Sequence, residues 1–507
     1  MIFELTHTDL RDGHGRGALP AWMTLTQGRA DVVGELMGFP EVYLFHSSDL
    51  VVVGTSVGPI LDRLTELGRT PTLSPFGMSQ FLHHGLIPPP HTEWDELWFL
   101  GIGARATLVT TPLGIKSSFE RTYPFVEANT RETSQPSTAT LLELLTAATD
   151  RQLTDAGNQG FLMMSSGKDS VSIAVALAEG GHAEIPCITY RPHPADMENE
   201  VAADVCRTLG LEHHTFDLPV DPAVVEEILI RFFEGSPRPC GDDAQIPYAL
   251  VVGSRGLTNG AVIDGSGSDF YMGFVPGPGA VRKHRYRIRS EFVARAVERV
   301  VPVDSSLNYL TRSRLATSLP GRAFRLPDTR RFYPDVVDTR PWWRSLSEET
   351  SEFSNLDIGN AVMQLFEDQA GVHLKAHVAA QAFGIQAAFP YCDPEIADYA
   401  FDLPLGDRFD PDTGVTKILL RQMLLEAIGY DAEAVGKHYF GFEGDRFLVD
   451  HRSFVLSEIA QCTLWSSNVV PLAESWLDQL ERRPLLYHSL LILFQLSGWH
   501  NHSRYVR

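Results

Sequence analysis

The sequence predicts an α/β protein built on a parallel sheet, with a smaller α+β region in front of it. Three observations predict this. Between Gly160 and Leu218 strand-like and helix-like patterns alternate as β-α-β-α-β, which implies parallel strands with helices on both faces. Before about residue 115 short strand-like runs and turns dominate, with two helical patterns among them. From about Ser351 onward the chain reads as mostly helical.

In the first region, Val42-Tyr-Leu-Phe and Asp49-Leu-Val-Val-Val read as strands divided by His46-Ser-Ser, and Ala106-Thr-Leu-Val-Thr as a later strand before a turn at Pro112-Leu-Gly. Val57 to Leu67 and Pro75 to His84 carry helical spacing. From Ser117 to Thr138 the pattern fades into Pro, Thr, Ser and Glu, which predicts a linker and places domains at 1–125 and 126–507. Thr138 to Ala156 spaces Leu141, Leu142, Leu145 and Ala148 as a helix. A buried strand from Gly160, a small-residue loop and the apolar helix Val171-Ser-Ile-Ala-Val-Ala-Leu-Ala-Glu follow. Next come a strand at Pro186-Cys-Ile-Thr-Tyr, a helix from Glu198 to Leu209 and a third strand at His213-His-Thr-Phe-Asp-Leu.

Composition narrows the function classes. In 507 residues, 44% are hydrophobic and 21% charged, an ordinary globular balance. The formal charge of −22 argues against nucleic acid as a partner, since that affinity rests on neutralising phosphates. It argues equally against anionic membranes, and no apolar run is long enough for a membrane span. Cys187, Cys206, Cys240, Cys392 and Cys462 are scattered, odd in number and without C-x-x-C spacing, which opposes a disulfide scaffold or structural zinc. With no basic-then-apolar leader at Met1-Ile-Phe-Glu-Leu-Thr-His, a cytoplasmic location is expected.

The chemistry is read from Ser165-Ser-Gly-Lys-Asp-Ser170. Small residues between a strand and a helix let the backbone approach a phosphate, and the free N–H groups of the helix start point at it. Ser165, Ser166 and Ser170 add hydroxyl donors. Asp169 would repel a bare phosphate and makes sense where it holds Mg²⁺ against phosphates. The spacing is not that of Walker A. The alternative reading is a polar turn.

This hexapeptide resembles the S-G-G-x-D-S loop of the PP-loop ATP pyrophosphatases, and five further segments narrow the resemblance to the asparagine synthetase and β-lactam synthetase group. They are the segment around Glu200, Pro239-Cys-Gly-Asp-Asp-Ala-Gln-Ile-Pro-Tyr, Ala261-Val-Ile-Asp-Gly-Ser-Gly-Ser-Asp, Phe389-Pro-Tyr-Cys-Asp393 and Thr416-Lys-Ile-Leu-Leu-Arg421. Together they span about Gly160 to Phe447. The resemblance implies a PP-loop (HUP-like) synthetase fold that uses ATP and Mg²⁺. It implies pyrophosphate binding by Ser165, Ser166, Gly167, Asp169 and Ser170, and a metal shared by Asp169 and Asp269. Gly265, Gly267 and Ser268 would line the adenylate, Ile188 to Tyr190 would lie near the adenine, and Lys417 would reach the β and γ phosphates. Two carboxylates at the carboxyl ends of parallel strands agree with where such sheets bind ligands. The alternative for Asp269 is a helix N-cap before Phe270.

The sequence also departs from that family. The family's usual front domain is a glutaminase whose nucleophilic cysteine follows the initiator Met; here Ile2 stands there, and no cysteine precedes Cys187. His46-Ser-Ser-Asp-Leu-Val-Val-Val-Gly and Thr72 to Gly85 resemble only its second half, so a truncated, degenerate glutaminase-like α+β domain is expected, without amidohydrolase chemistry. The family's E-x-R reads Gln386-Ala387-Ala388, which removes a carboxylate that often serves as base. A lysine that offsets charge during adenylation is replaced by Tyr439. Lys437, two residues earlier, and Lys168 in the loop are the candidate substitutes, although Lys168 also fits a solvated helix start. His373, Lys375 and His377 lie where an altered substrate pocket would be. A metal pair, a proton-accepting His377 or a plain surface helix are the readings there. The basic run Val281-Arg-Lys-His-Arg-Tyr-Arg-Ile-Arg-Ser faces an anionic substrate or forms a solvated helix.

The expectation is an AMP-forming amide synthetase that works without glutamine on a small-molecule or peptide carboxylate and an amine, in natural-product, peptide or polysaccharide biosynthesis. A homodimer is the candidate assembly. A nucleotide-binding pseudoenzyme or assembly partner is the alternative class, favoured by Gln386, Ala388 and Tyr439 and opposed by Asp169, Asp269 and Lys417. PP-loop chemistry on tRNA is the weakest reading, opposed by the acidic charge.

Overall fold

The computed structural model describes residues 2–15, 18–35, 37–124, 126, 133–191, 198–219, 221–273, 286, 288, 290–301, 305, 310–316, 319, 324–436 and 442–506. Alternating apolar residues in the first region form strands β1 (Ile2–Thr6), β2 (Met23–Thr26), β3 (Arg29–Val33), β4 (Val42–His46), β5 (Leu50–Gly54), β6 (Leu97–Leu100), β7 (Ala104–Thr111) and β8 (Gly114–Arg121). They make two antiparallel sheets of order β1-β5-β4-β6 and β2-β3-β7-β8. Side chains alternate across a strand, so β4 serves two cores. Val42 and Leu44 meet Val32, Ala106 and Leu108 of the second sheet, while Tyr43 and Phe45 join the main core with the helices Val57–Glu66 and Pro75–His84.

The predicted linker begins too early. Ser117 to Arg121 continue β8, paired residue for residue with β7 from Thr111↔Gly114 to Ala104↔Arg121. Ile115 is buried, but Lys116, Ser118 and Glu120 lie on the solvent face of an edge strand, which gives a polar composition without breaking the strand. The predicted boundary at 125/126 falls beside residues 127–132, outside the described residues.

The second region has the predicted alternation. Strands β9 (Gly160–Met163), β10 (Cys187–Arg191), β11 (His213–Asp217), β12 (Ala261–Ile263) and β13 (Gln386–Ala388) form one parallel sheet of order β11-β10-β9-β12-β13. The helices Lys168–Glu179 and Glu198–Leu209 form the first crossovers. The strand order runs outward from β9 in one direction to β11 and in the other to β13. The crevice between the carboxyl ends of β9 and β12 is therefore a topological switch point, where open α/β sheets bind ligands. The C-terminal part is helical, and the helix Leu486–His502 is buried along Leu490 to Leu496 and at Trp499. No helix among the described residues is long and apolar enough to cross a membrane.

Polar contacts tie the two regions together. Arg238 donates to both oxygens of Glu93 at 3.0 Å and to the Tyr43 hydroxyl at 2.7 Å, with all three side chains buried. The Trp343 indole donates to Gln80 Oε1 at 2.9 Å, and Ile102 N–H donates to Gln369 Oε1 at 3.0 Å.

Candidate functional site

The chain leaves β9 through Met164, whose N–H donates to the Ile188 carbonyl at 2.8 Å, and enters the serine loop. Hydroxyls brace that loop. Ser165 N–H donates to Ser170 Oγ at 3.1 Å, the two serine oxygens lie 2.9 Å apart, and Gly167 N–H donates to Ser165 Oγ at 3.0 Å. Ser166 turns away from the cleft. Its N–H and hydroxyl donate to Glu198 Oε1 at 3.2 and 3.3 Å, and its carbonyl accepts from the Tyr430 hydroxyl. Gly167 caps the helix Lys168–Glu179 without any side-chain acceptor, which leaves the helix start open to an anion.

The loop after β12 closes against the first. A Cβ at Gly265 would stand 3.0 Å from Asp169 C and Ser170 N, so the absence of a side chain permits the approach. Gly267 adopts φ +112°, a conformation L side chains rarely take, and a Cβ there would stand 2.9 Å from Cys392 Sγ. Asp264 accepts from Ser266 N–H at 2.8 Å and from the Tyr248 hydroxyl. Burial pushes its carboxyl up, but the Lys375 ammonium and these hydrogen bonds outweigh burial and hold it below the usual carboxylate range.

Lys417 joins the two loops. Its Nζ lies 2.8 Å from both oxygens of Asp169 and 2.9 Å from Asp269 Oδ1, and Ser268 Oγ donates to Asp169 Oδ1 at 2.8 Å. Lys417 is buried and adopts φ +59°, ψ +45°, a left-handed conformation that costs a non-glycine residue ~1–3 kcal/mol. It holds this position at the start of the helix Ile418–Ile428 while its N–H donates to the Met272 carbonyl at 3.2 Å. Burial alone would lower the ammonium, but the two aspartates raise it above the ordinary lysine value. Asp169 is shifted down: burial opposes, and Lys417, then Lys168, prevail. Asp269 is no N-cap. It is the first residue of the short helix Asp269–Met272, after Ser268, and its carboxylate is committed to Lys417.

The two loops line a cleft of about 250 Å³; Lys417, buried between their aspartates, is not among its lining residues. Ser165, Gly167, Asp169, Ser170, Gly265, Gly267, Ser268 and Asp269 all border it, so eight sequence-predicted residues converge there. Ile188 and Tyr190 are buried within β10 and do not line it. Lys168 is half-buried beside Asp169; burial lowers its ammonium, Asp169 opposes, and Lys417 and Arg421 lower it further. Lys437 and Tyr439 lie outside the described residues, as does most of the basic run from Val281.

Lys375, expected at an altered substrate pocket, does line the cleft, and so do three polar residues to which the sequence reading gives no role: Tyr248, Asp264 and Asp368. Asp264 was legible, since it sits inside the quoted Ile263-Asp264-Gly265 segment. Asp368 was not, because it opens a π-helical turn, Asp368–Val372, that brings it and Val372 to the cleft. Such π turns concentrate at functional sites. Burial, with Asp269 and Glu367 adding to it, raises the Asp368 carboxyl well above its ordinary value. Lys375 Nζ donates to the Val372 carbonyl at 3.0 Å and lies 5.4 Å from the Tyr248 ring centroid. Burial opposes its charge, and Asp264 and Asp242 outweigh it and raise the ammonium. The helix that carries it, His373–Ala382, is not a surface helix: His373 and His377 are both buried. His373 stacks on Phe389 with ring centroids 4.9 Å apart, and burial lowers its imidazole to about 3. His377 Nδ1 lies 3.7 Å from Glu41 Oε2. Gln386 is exposed on β13, and its side chain donates to the Asp155 carbonyl at 3.4 Å.

No group of three or more His, Cys, Asp or Glu suited to a metal ion occurs among the described residues. Asp169 and Asp269 supply two hard oxygen ligands within reach of one cation. That donor set fits Mg²⁺, which takes one or two carboxylates and completes its shell with water and substrate phosphates.

No curated protein matches the chain in sequence. The family model described as asparagine synthase matches residues 140–428, more than half of the chain. The match runs from the helix Thr138–Asp155 to the helix Ile418–Ile428 and so contains both loops, Lys375 and Lys417. By this match the chain belongs to the asparagine synthase family, whose members are ATP-dependent carbon–nitrogen ligases.

Proposed function

We propose that this chain is an AMP-forming amide synthetase that activates a substrate carboxylate with ATP and passes it to an amine without hydrolysing glutamine. A carboxylate oxygen attacks the α-phosphorus, the bond to the β-phosphate oxygen breaks, and pyrophosphate leaves. The amine then attacks the acyl carbon, loses a proton, and AMP leaves. The observation that carries this reading is Lys417 held between Asp169 and Asp269 across the two loops of the switch point.

In this reading the open helix start at Lys168 and the hydroxyls of Ser165 and Ser170 bind the pyrophosphate oxygens. Asp169 and Asp269 would hold Mg²⁺, which would supply charge neutralisation on the phosphates. Lys417, paired with both carboxylates, is the cation that reaches the β and γ phosphates. Lys375, kept charged by Asp264 and Asp242, orients the substrate carboxylate, and Asp368, a carboxyl on the cleft wall, takes the amine proton once ionised. This chemistry rests on positioning and on preorganised charge. Gln386 is exposed and does not line the cleft, so its difference from the family glutamate removes no group from the cleft wall.

Independence from glutamine is supported by the thiols. All five cysteines are buried; burial raises Cys240 and Cys462 to about 12, and Cys206, lowered by its hydrogen bond with Cys187, is buried against that thiol. Residues 1–125 are then a degenerate glutaminase-like unit retained as a packing partner for residues 126–507. The pseudoenzyme reading keeps two arguments, Ala388 and Tyr439. The test is exchange of labelled pyrophosphate into ATP with a panel of carboxylates. Carboxylate-dependent exchange is expected; ATP binding with no exchange for any acid would favour the pseudoenzyme.

A further inference from the structure

A second cavity, of about 420 Å³, lies where the helix Pro75–His84 of the first region meets residues 311–351, and it shares no lining residue with the cleft. Its volume is within the range of small-molecule sites. One part of the wall is apolar, with Phe324, Leu326 and Trp343. The polar part carries Arg312, Arg325, Arg340 and Arg344 with Asp338 and Glu348; Arg340 is paired with Asp338 and Arg325 with Asp328, each at 2.6 Å. Four arginines against three carboxylates leave one positive charge in excess, in a chain of formal charge −22.

His83 and His84 also line it. Both are more than nine-tenths buried. His83 Nδ1 is hydrogen-bonded to Thr339 Oγ1 at 3.2 Å, but His83 Nε2 and His84 Nδ1 have no hydrogen-bond partner among the described residues. The His84 ring is fixed edge-on against Trp343, with centroids 5.2 Å apart. Burial lowers both imidazoles, His83 to about 3; Asp338 opposes this at His83, and Arg312 lowers both further. Buried polar atoms are rarely left unpaired, and two at one cavity wall mark a place where a ligand completes the bonding.

We propose that this cavity is a second ligand site, for an organic carboxylate with an apolar body: its arginines receive the carboxylate, His83 and His84 complete its hydrogen bonds, and Trp343 and Phe324 cover its apolar part. A phosphate-rich ligand is disfavoured, since Asp338 and Glu348 share the wall.

The test is calorimetric titration of the full chain with 4-phenylbutyrate and octanoate, and with 4-phenylbutyramide as the uncharged control. Both acids are expected to bind, the amide at least tenfold more weakly. Two variants place the site: Arg344→Glu reverses an exposed charge at the wall, and Ala294→Trp fills the cavity. Each is expected to weaken the acids at least tenfold while leaving the unfolding midpoint and ATP binding near wild type. Binding of neither acid, equal binding of acid and amide, or unchanged affinity in Arg344→Glu overturns the proposal, and Arg344→Glu suffices if Ala294→Trp does not fold. Kinetics identify the source of the ligand. A carboxylate carried by the activated substrate competes in ATP–pyrophosphate exchange, whereas a separate effector alters exchange without competing.

Discussion

Arg238 and Lys417 are both buried cations set against carboxylates, and their two clusters differ in what they leave open. Arg238 is paired with Glu93, and their side chains are 2% and 0% exposed. Lys417 is as buried, at 4%, but its partners Asp169 and Asp269 keep 28% and 40% of their side chains exposed. The first cluster is closed on every side and fastens the N-terminal sheets to the parallel-sheet region. The second is closed behind the cation and open in front, where a ligand enters. The same ion pairing is a fastener when both partners are desolvated and a charge reservoir when one side faces a cleft.

The comparison breaks most easily at its closed end. Arg238→Ala leaves Glu93 buried without its cation, and removing one partner of a buried pair costs ~3–5 kcal/mol. Urea unfolding should show that loss, while pyrophosphate exchange per folded molecule stays near wild type. A wild-type unfolding midpoint would show that the two clusters are not different in kind. At the open end the pattern should invert. Asp269→Asn should lower exchange by ~10²–10³-fold, the loss typical of one preorganised charge, with a smaller change in stability than Arg238→Ala. Near-full exchange in that variant would remove Asp269 from the metal site.

Acid should sharpen the contrast between buried and open groups. His373 and His83 are held at about 3 and His91 at about 4, all by burial first. Their folded values lie below the unfolded value near 6.5, so the unfolded chain binds more protons as pH falls. Stability is then fully present above about pH 6.5 and is lost on acidification toward pH 3–4, by up to ~1.4 kcal/mol per pH unit for each histidine. Urea midpoints at pH 7 and pH 5 measure this, and His373→Asn should flatten the dependence; a flat wild-type profile contradicts it. The smallest expected effect is at Lys168, beside the cleft without lining it. Lys168→Ala should cost about tenfold in exchange, ~1.4 kcal/mol of barrier, and a normal rate would return Lys168 to a solvated helix start.

Much of this was legible in the sequence where one period or one motif carried the information. The helices Pro75–His84 and Glu198–Leu209 have the predicted ends, and the predicted strands at Val42, Gly160 and Pro186 are present to within a residue or two. The serine loop and the Gly265–Asp269 loop converge because a parallel sheet delivers both to one edge. What was not legible depends on partners distant in sequence. Ser117 to Arg121 looked like linker because an edge strand shows solvent every second residue. The His373 helix looked exposed because its polar residues are covered by Phe389, Glu41 and Asp264, none of them local. Ser166 was expected at the phosphates, yet Glu198 holds its N–H and hydroxyl, a contact formed only once the crossover helix docks. Asp368 reaches the cleft through a π turn that no apolar period announces.

The central claim is that the open cluster activates a carboxylate with ATP. It is tested most directly by incorporation of labelled pyrophosphate into ATP, measured with Mg²⁺ and candidate acids in the wild-type chain and in Asp169→Asn. The account predicts exchange that requires an acid and Mg²⁺ and falls by at least ~10²-fold in Asp169→Asn. Exchange of equal rate in both proteins, or ATP bound by the wild type with no exchange for any acid, would contradict it.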